Sequence, residues 1–297
     1  SRISYREKKL KLAKNQIDLI PENWSESKEN STFILFWSFK GFIEEKVENF
    51  DLAYSCFAKS QKNDRYKRCD PHSFITYINE YKESIDYINY PKYKKDIDFD
   101  IKEKLVFLIG FPRSGTTLLD TILRSHYQID VLEEKPLIHS VENIIKTKFK
   151  LTLSKIHYLK KEDLDYLRKH YLSELHKYRD PDKKANVFVD KYPFQTVCLP
   201  LINILFPEAK IIFTHRNPYD TVFSCFQQTF EPNNAMANFT TLKSSAQIYD
   251  LTMQMWVLYK KNLKLDFVMS KYETLLDNFD NHINKILEFL DLDWDEN

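Results

Sequence analysis

The chain has 297 residues and is 43% hydrophobic, enough for one large α/β domain or a smaller one with an attached module, and too apolar for wholesale disorder. Its 44 basic and 43 acidic residues leave a formal charge of +1, which excludes a chain-wide field for nucleic acid or membrane but not a local basic site. Cys56, Cys69, Cys198 and Cys225 are widely spaced, lack the paired spacing of a metal site, and read as reduced thiols. No apolar run is long enough for a bilayer, and no signal-peptide core follows the lysine-rich start. The chain begins at Ser1 rather than methionine, and a cytoplasmic location is the default expectation.

Residues 1–96 read as an all-helical module. Residues 16–20 precede a break at 21–31, after which Phe33, Phe36, Trp37, Ile43 and Val47 recur at helical spacing. A second helix carries Phe50, Leu52, Ala53, Cys56 and Phe57. Trp37, Gly41, Ala53 and Phe57 match the spacing of a tetratricopeptide (TPR) repeat, whereas Lys40 and Glu44 stand where that repeat has leucine and tyrosine. A generic helical hairpin is the alternative. The charged stretch 96–104 reads as a linker, which divides the chain into a TPR-like module, 1–96, and a second domain, 97–297.

The pattern changes at residue 105. Residues 105–109 are a continuous apolar run, the mark of a strand buried on both faces. Further strands are predicted at 129–132, 187–189, 211–214 and 267–269, and helices at 116–125, 154–178, 195–206, 219–230, 244–263 and 275–290. Buried strands alternating with helices imply an α/β fold, a P-loop-type parallel β-sheet flanked by helices.

Two of the chain's 3 glycines fall in one motif: Gly110, Phe111, Pro112, Arg113, Ser114, Gly115, Thr116, Thr117. Between a strand and a helix, this frame lets backbone N–H groups and the helix N-terminus converge on an anion. A nucleoside triphosphatase needs lysine where Thr116 stands, and here the cation is Arg113, inside the loop. The motif closely resembles the 5′-phosphosulfate loop of the sulfotransferase superfamily. That resemblance implies donor contacts from Pro112, Arg113, Ser114, Gly115, Thr116, Thr117 and Leu118. The donor would be 3′-phosphoadenosine-5′-phosphosulfate and the product 3′-phosphoadenosine-5′-phosphate.

A second segment points the same way. A strand ending at Thr214 leads into His215, Arg216, Asn217 and Pro218, with Ser224 eight residues after Arg216. In the superfamily an arginine and a serine so spaced hold the donor's 3′-phosphate, a guanidinium clamp with an added hydroxyl. Tyr272, Glu273 and Leu275 follow the last strand as in many sulfotransferases, which gives Tyr272 a contact with the donor nucleotide. The resemblance runs from Leu105 to Trp294.

Sulfuryl transfer is an in-line displacement at sulfur. It needs a base for the acceptor hydroxyl and positive charge on the bridging oxygen, and in principle no metal. The site motifs are closest to tyrosylprotein sulfotransferases, whose base is a glutamate after the second strand. Counting from Arg113, the counterpart is Glu134, with Glu133 beside it; His139 and His215 are rival bases. Glu134 as a helix cap or a partner of Lys135 is the structural alternative. Asp190, Lys191, Tyr192 and Pro193 resemble the Asn-Lys-x-Pro segment of these enzymes, which places the Lys191 ammonium on the leaving phosphosulfate with Arg113; a solvated surface lysine is the alternative. In those enzymes a loop beyond the last helix adds donor contacts, for which this sequence, ending at Asn297, offers no counterpart.

The expected function is sulfuryl transfer to an acceptor hydroxyl, open among tyrosine, sugar, lipid and small alcohol. The competing readings are a non-catalytic nucleotide-binding scaffold on the same fold and a P-loop kinase. The helical module would bind a peptide or protein acceptor, or serve packing and homodimer formation; the residues leave these open.

Overall fold

Five short runs rich in β-branched and aromatic residues form strands in the computed structural model: β1 (Lys104–Ile109), β2 (Ile129–Glu133), β3 (Val187–Lys191), β4 (Lys210–His215) and β5 (Asp266–Lys271). The structure describes residues 5–21, 30–62, 64–87 and 103–295. The strands make one sheet in the order β2-β3-β1-β4-β5, with every neighbouring pair parallel. β1 is central, and all its residues after Lys104 are buried, as its unbroken apolar run requires. Its two neighbours, β3 and β4, come later in the chain on opposite sides. The sheet therefore opens a crevice beyond the C-terminal end of β1, where ligands of such sheets sit.

The chain divides into two compact units, one of Ser1–Ile75 with Val222–Ile248 and one of Thr76–Thr221 with Tyr249–Asn297. The predicted boundary at 96/97 lies in residues 88–102, outside the described residues.

Strand alternation gives the sheet two apolar faces in the second unit. Val106, Leu108 and Ile212 pack with Leu119 and Leu123 of helix Thr116–Ser125 and Ile286 of helix Phe279–Phe289. On the other face Phe107 stacks on Phe206, centroids 6.1 Å apart, and Phe213 stacks on Trp256 at 3.9 Å. Beneath this layer the fully buried Arg168 donates from Nε to the Leu205 carbonyl at 2.7 Å and from Nη2 to that of Ile204 at 3.2 Å. Its Nη1 bonds Asp165 at 2.9 Å. A guanidinium thus satisfies the last carbonyls of helix Leu199–Leu205. Arg168→Ala orphans those carbonyls and opens a cavity, and it should cost about 3 kcal/mol in a denaturant titration. A loss below about 1 kcal/mol would contradict this role.

In the first unit, helices Asn30–Lys46 and Phe50–Gln61 pack as a hairpin with helix Leu10–Asp18, burying Ala13, Ile17, Phe36, Trp37, Ile43 and Cys56. Gly41 is where the hairpin closes: a Cβ there would sit 2.7 Å from the Phe57 ring. Lys40 and Glu44, the two departures from the repeat spacing, are both buried, and Glu44 is bonded by Lys14 and, at 3.1 Å, by Asn49.

Three predicted helices are interrupted. The 154–178 stretch is a 3-10 turn, Leu153–Tyr158, followed by helix Lys161–Tyr178, whose start is fixed by the Asp163 carboxylate accepting the Lys160 N–H at 3.0 Å. The 195–206 stretch splits into Pro193–Thr196 and Leu199–Leu205, and the 275–290 stretch breaks at Asn278, whose φ of -145° is not helical.

Candidate active site

Sheet register brings the first functional pair together. Glu133 is the residue of β2 opposite Lys191 of β3, and Lys191 in turn stands opposite Leu108 of β1. The Glu134 N–H donates to the Lys191 carbonyl at 2.8 Å, which extends the pairing one residue and turns Glu134 into a left-handed conformation, φ 50°. The Lys191 side chain is fully buried, and its ammonium donates to Glu133 Oε1 and Glu134 Oε1, both at 3.0 Å. Lys191 is thus no solvated surface lysine. Glu134 caps no helix either, since helix Leu137–Thr147 begins after Pro136 without a side-chain cap.

A third carboxylate completes the cluster. Asp120, 1% exposed, lies on helix Thr116–Ser125, and its Oδ2 is 3.6 Å from the Lys191 ammonium. Asp120 Oδ1 accepts from Arg124 Nη2 at 2.6 Å, and the same Nη2 reaches Glu133 at 3.4 Å. The bonded, positively charged Lys191 holds the Glu133 carboxyl below the ordinary carboxylate range, against the opposing effect of burial. Three acids and two bases therefore meet at the ends of β2 and β3 and on the helix that follows β1.

The phosphate loop is anchored from below. The Gly110 N–H donates to the Pro193 carbonyl at 3.1 Å and the Gly110 carbonyl accepts from Thr196 Oγ1 at 2.7 Å. Ser114 Oγ and Thr214 Oγ1 are 2.8 Å apart, and Thr214 also donates to the Ile109 carbonyl at 3.1 Å. Ser114 is accordingly buried and its hydroxyl serves the loop's attachment to β4. Pro112 and Thr116 are buried, Arg113 and Thr117 exposed, and the partly buried Leu118 packs on the core. Arg113 takes the left-handed conformation, φ 68°, strain of the kind that surrounding structure holds at ligand sites. Gly115, φ 98°, is the N-cap of helix Thr116–Ser125 and brings no side chain to its first-turn N–H groups.

Tyr272 joins the loop to the end of β4. A Cβ on Gly115 would lie 2.6 Å from the Tyr272 ring, so glycine is what lets ring and loop touch. The Arg216 guanidinium lies over the same ring, 4.9 Å from its centroid. Arg216 pairs with Asp220 at 3.3 Å, while its Nε is buried without a hydrogen-bond partner. Ser224 lies on helix Pro218–Gln227, in the part of the chain that belongs to the first unit. Of the rival bases, His139 is exposed, its ring 5.1 Å from Tyr192. His215 is half-buried at the end of β4, and burial pushes its pKa down, an effect the Glu273 carboxylate partly opposes.

Two residues of the site go beyond the motif reading: one lies outside it, and the other stands in it where the Asn-Lys-x-Pro segment has asparagine. Asp120 falls with Thr116, Leu119 and Leu123 on the buried face of its helix, and a carboxylate at such a core position was the available signal. Asp190 is the other. It is fully buried beside Lys191, accepts from Tyr171 at 2.9 Å and Gln195 at 3.0 Å, and burial raises its pKa to about 7. Below about pH 7 the native state therefore retains a proton that the unfolded chain releases near its ordinary value of 3.8. Stability then falls as pH rises through that window and is level above it. Asp190→Asn should flatten this slope in thermal melts at several pH values; an unchanged slope would contradict the buried, protonated carboxyl.

The parallel sheet and the glycine-framed loop after its central strand define a P-loop-type α/β fold. Residues 106–296 match the model of the sulfotransferase family, and the chain belongs to that family. It is 24% identical over 224 residues to protein-tyrosine sulfotransferase A of Caenorhabditis elegans, across 72% of this chain and 57% of that protein. It is 26% identical over 206 residues to an uncharacterized protein of Aquifex aeolicus, across 64% of this chain and 26% of that one. The chain thus spans little more than half of one curated relative and about a quarter of the other. Among solved structures, the sulfotransferase domain from the curacin biosynthetic pathway aligns with a TM-score of 0.45 at 17% identity, over 67% of this chain and 77% of that one. No helix among the described residues is long and apolar enough to cross a membrane.

Proposed function

We propose that this chain transfers the sulfuryl group of 3′-phosphoadenosine-5′-phosphosulfate to an acceptor hydroxyl. The observation that carries the reading is the buried Lys191 ammonium 3.0 Å from Glu134, at the same end of the sheet as the phosphate loop. In-line transfer needs a base for the acceptor hydroxyl and a cation for the leaving oxygen, and both kinds of group stand at this end of the sheet. Glu134 takes the proton from the acceptor hydroxyl as its oxygen bonds to sulfur. The bond from sulfur to the 5′-phosphate oxygen breaks, and the electron pair leaves on 3′-phosphoadenosine-5′-phosphate. Lys191 and Arg113 stabilise that developing charge.

The loop from Pro112 to Leu118 cradles the phosphosulfate, Arg216 takes the 3′-phosphate, and Tyr272 lies between them against the nucleotide. The orphaned Nε of Arg216 supports this assignment, since a buried donor without a partner is costly unless a ligand satisfies it. The name of the Caenorhabditis elegans relative puts tyrosine first among the acceptors. The helical unit, read as a TPR-like pair, would present a peptide or protein, and the four reduced thiols suit a cytoplasmic setting. The test is transfer of a radiolabelled sulfuryl group from the donor to tyrosine peptides, sugars, lipids and small alcohols. Label on one class establishes the activity; label on none, with donor left intact, contradicts it.

A further inference from the structure

The two residues assigned to opposite ends of the transfer are hydrogen-bonded to each other. Glu134 cannot receive a proton freely while its carboxylate accepts from Lys191, and Lys191 cannot serve the leaving group while it serves Glu134. Something must break that contact, and something must hold Lys191 in place until then. Glu133 meets the second need. It is fixed opposite Lys191 by strand register, it bonds the ammonium at the same 3.0 Å as Glu134, and Arg124 steadies it at 3.4 Å. A buried ammonium requires such counter-charge, because water cannot supply it.

The structure assigns Glu133 as a positioning residue that acts through Lys191: it is the resident counter-charge that the donor's phosphosulfate displaces. This rests on the donor reading above. When the donor's anionic group enters, it offers the ammonium a multiply charged partner, and Lys191 leaves Glu133 and Glu134 for it. Asp120 stays behind as the buried acid on the loop's own helix, 3.6 Å from the ammonium and with Oδ2 lacking a hydrogen bond. Donor binding therefore sets Glu134 free as the base, so the site arms itself only when a sulfuryl group is there to transfer. Glu133 and the donor compete for one cation, which fixes the sign of the effect: removing the Glu133 charge must tighten donor binding.

The experiment is calorimetric binding of 3′-phosphoadenosine-5′-phosphate to the wild-type chain, Glu133→Gln, Lys191→Met and the double variant. Glu133→Gln is expected to tighten binding about fivefold in the wild-type background and by less than about twofold in Lys191→Met. Equal tightening in both backgrounds would mean a general field effect and overturn the inference, as would unchanged or weaker binding by Glu133→Gln. A wild-type chain that binds no nucleotide removes the donor reading and this inference with it. A wild-type chain that binds while Glu133→Gln gains nothing removes the inference alone.

Discussion

Glu134→Gln is expected to slow sulfuryl transfer by about a hundred- to ten-thousandfold without weakening donor affinity. The side chain keeps its size and its hydrogen bond to Lys191 but can no longer accept a proton at the acceptor oxygen. Because Glu134 is half exposed at the end of β2, its loss as a charge leaves no buried group unsatisfied, and stability should stay within about 0.5 kcal/mol. That separation matters. A variant that transfers at the wild-type rate would move the base to His139 or His215, whereas one that fails to bind donor would make Glu134 a ligand contact.

Lys191→Met should have the other large effect, about a thousandfold on transfer, with nucleotide affinity also reduced. Methionine fills the buried lysine stem's space, and the acids left behind differ in what they lose. Glu133 and Glu134 have side chains 46% and 56% exposed and regain water, while Asp120 keeps its 2.6 Å bond from Arg124. The fold should therefore survive, and single-turnover kinetics with saturating donor should show the loss in the transfer step. Normal turnover by Lys191→Met would assign the leaving-group charge to Arg113 alone.

The elements that carry chemistry were the most legible in the sequence, because they are bound by local rules. A continuous apolar run, two glycines five apart and an amphipathic helix can only be a strand, a loop and a helix in that order, and β1, the loop and helix Thr116–Ser125 stand where expected. The order of the sheet was not legible, since which strands pair depends on contacts distant in the chain. The sequence count that singled out Glu134 and the motif that singled out Lys191 say nothing of their meeting; register between β2 and β3 decides that. Helix Leu137–Thr147 carries Leu137, Ile138, Val141 and Ile145 on its buried face yet is absent from the predicted elements, as it starts directly after Pro136, which reads locally as a turn. Arg168 looks like an ordinary surface charge in the sequence, and Asp190 there is only the first residue of the segment that carries Lys191. Both are buried because distant elements, helix Leu199–Leu205 for one and Tyr171 with Gln195 for the other, supply their partners.

Calorimetric binding of 3′-phosphoadenosine-5′-phosphate, beside adenosine 5′-monophosphate and ATP, tests the central claim most directly. Micromolar affinity that requires the 3′-phosphate and is lost in Arg216→Ala is the expected result. Equal affinity for the three nucleotides, or an Arg216→Ala variant that binds as wild type, would contradict the donor site and with it sulfuryl transfer from that donor.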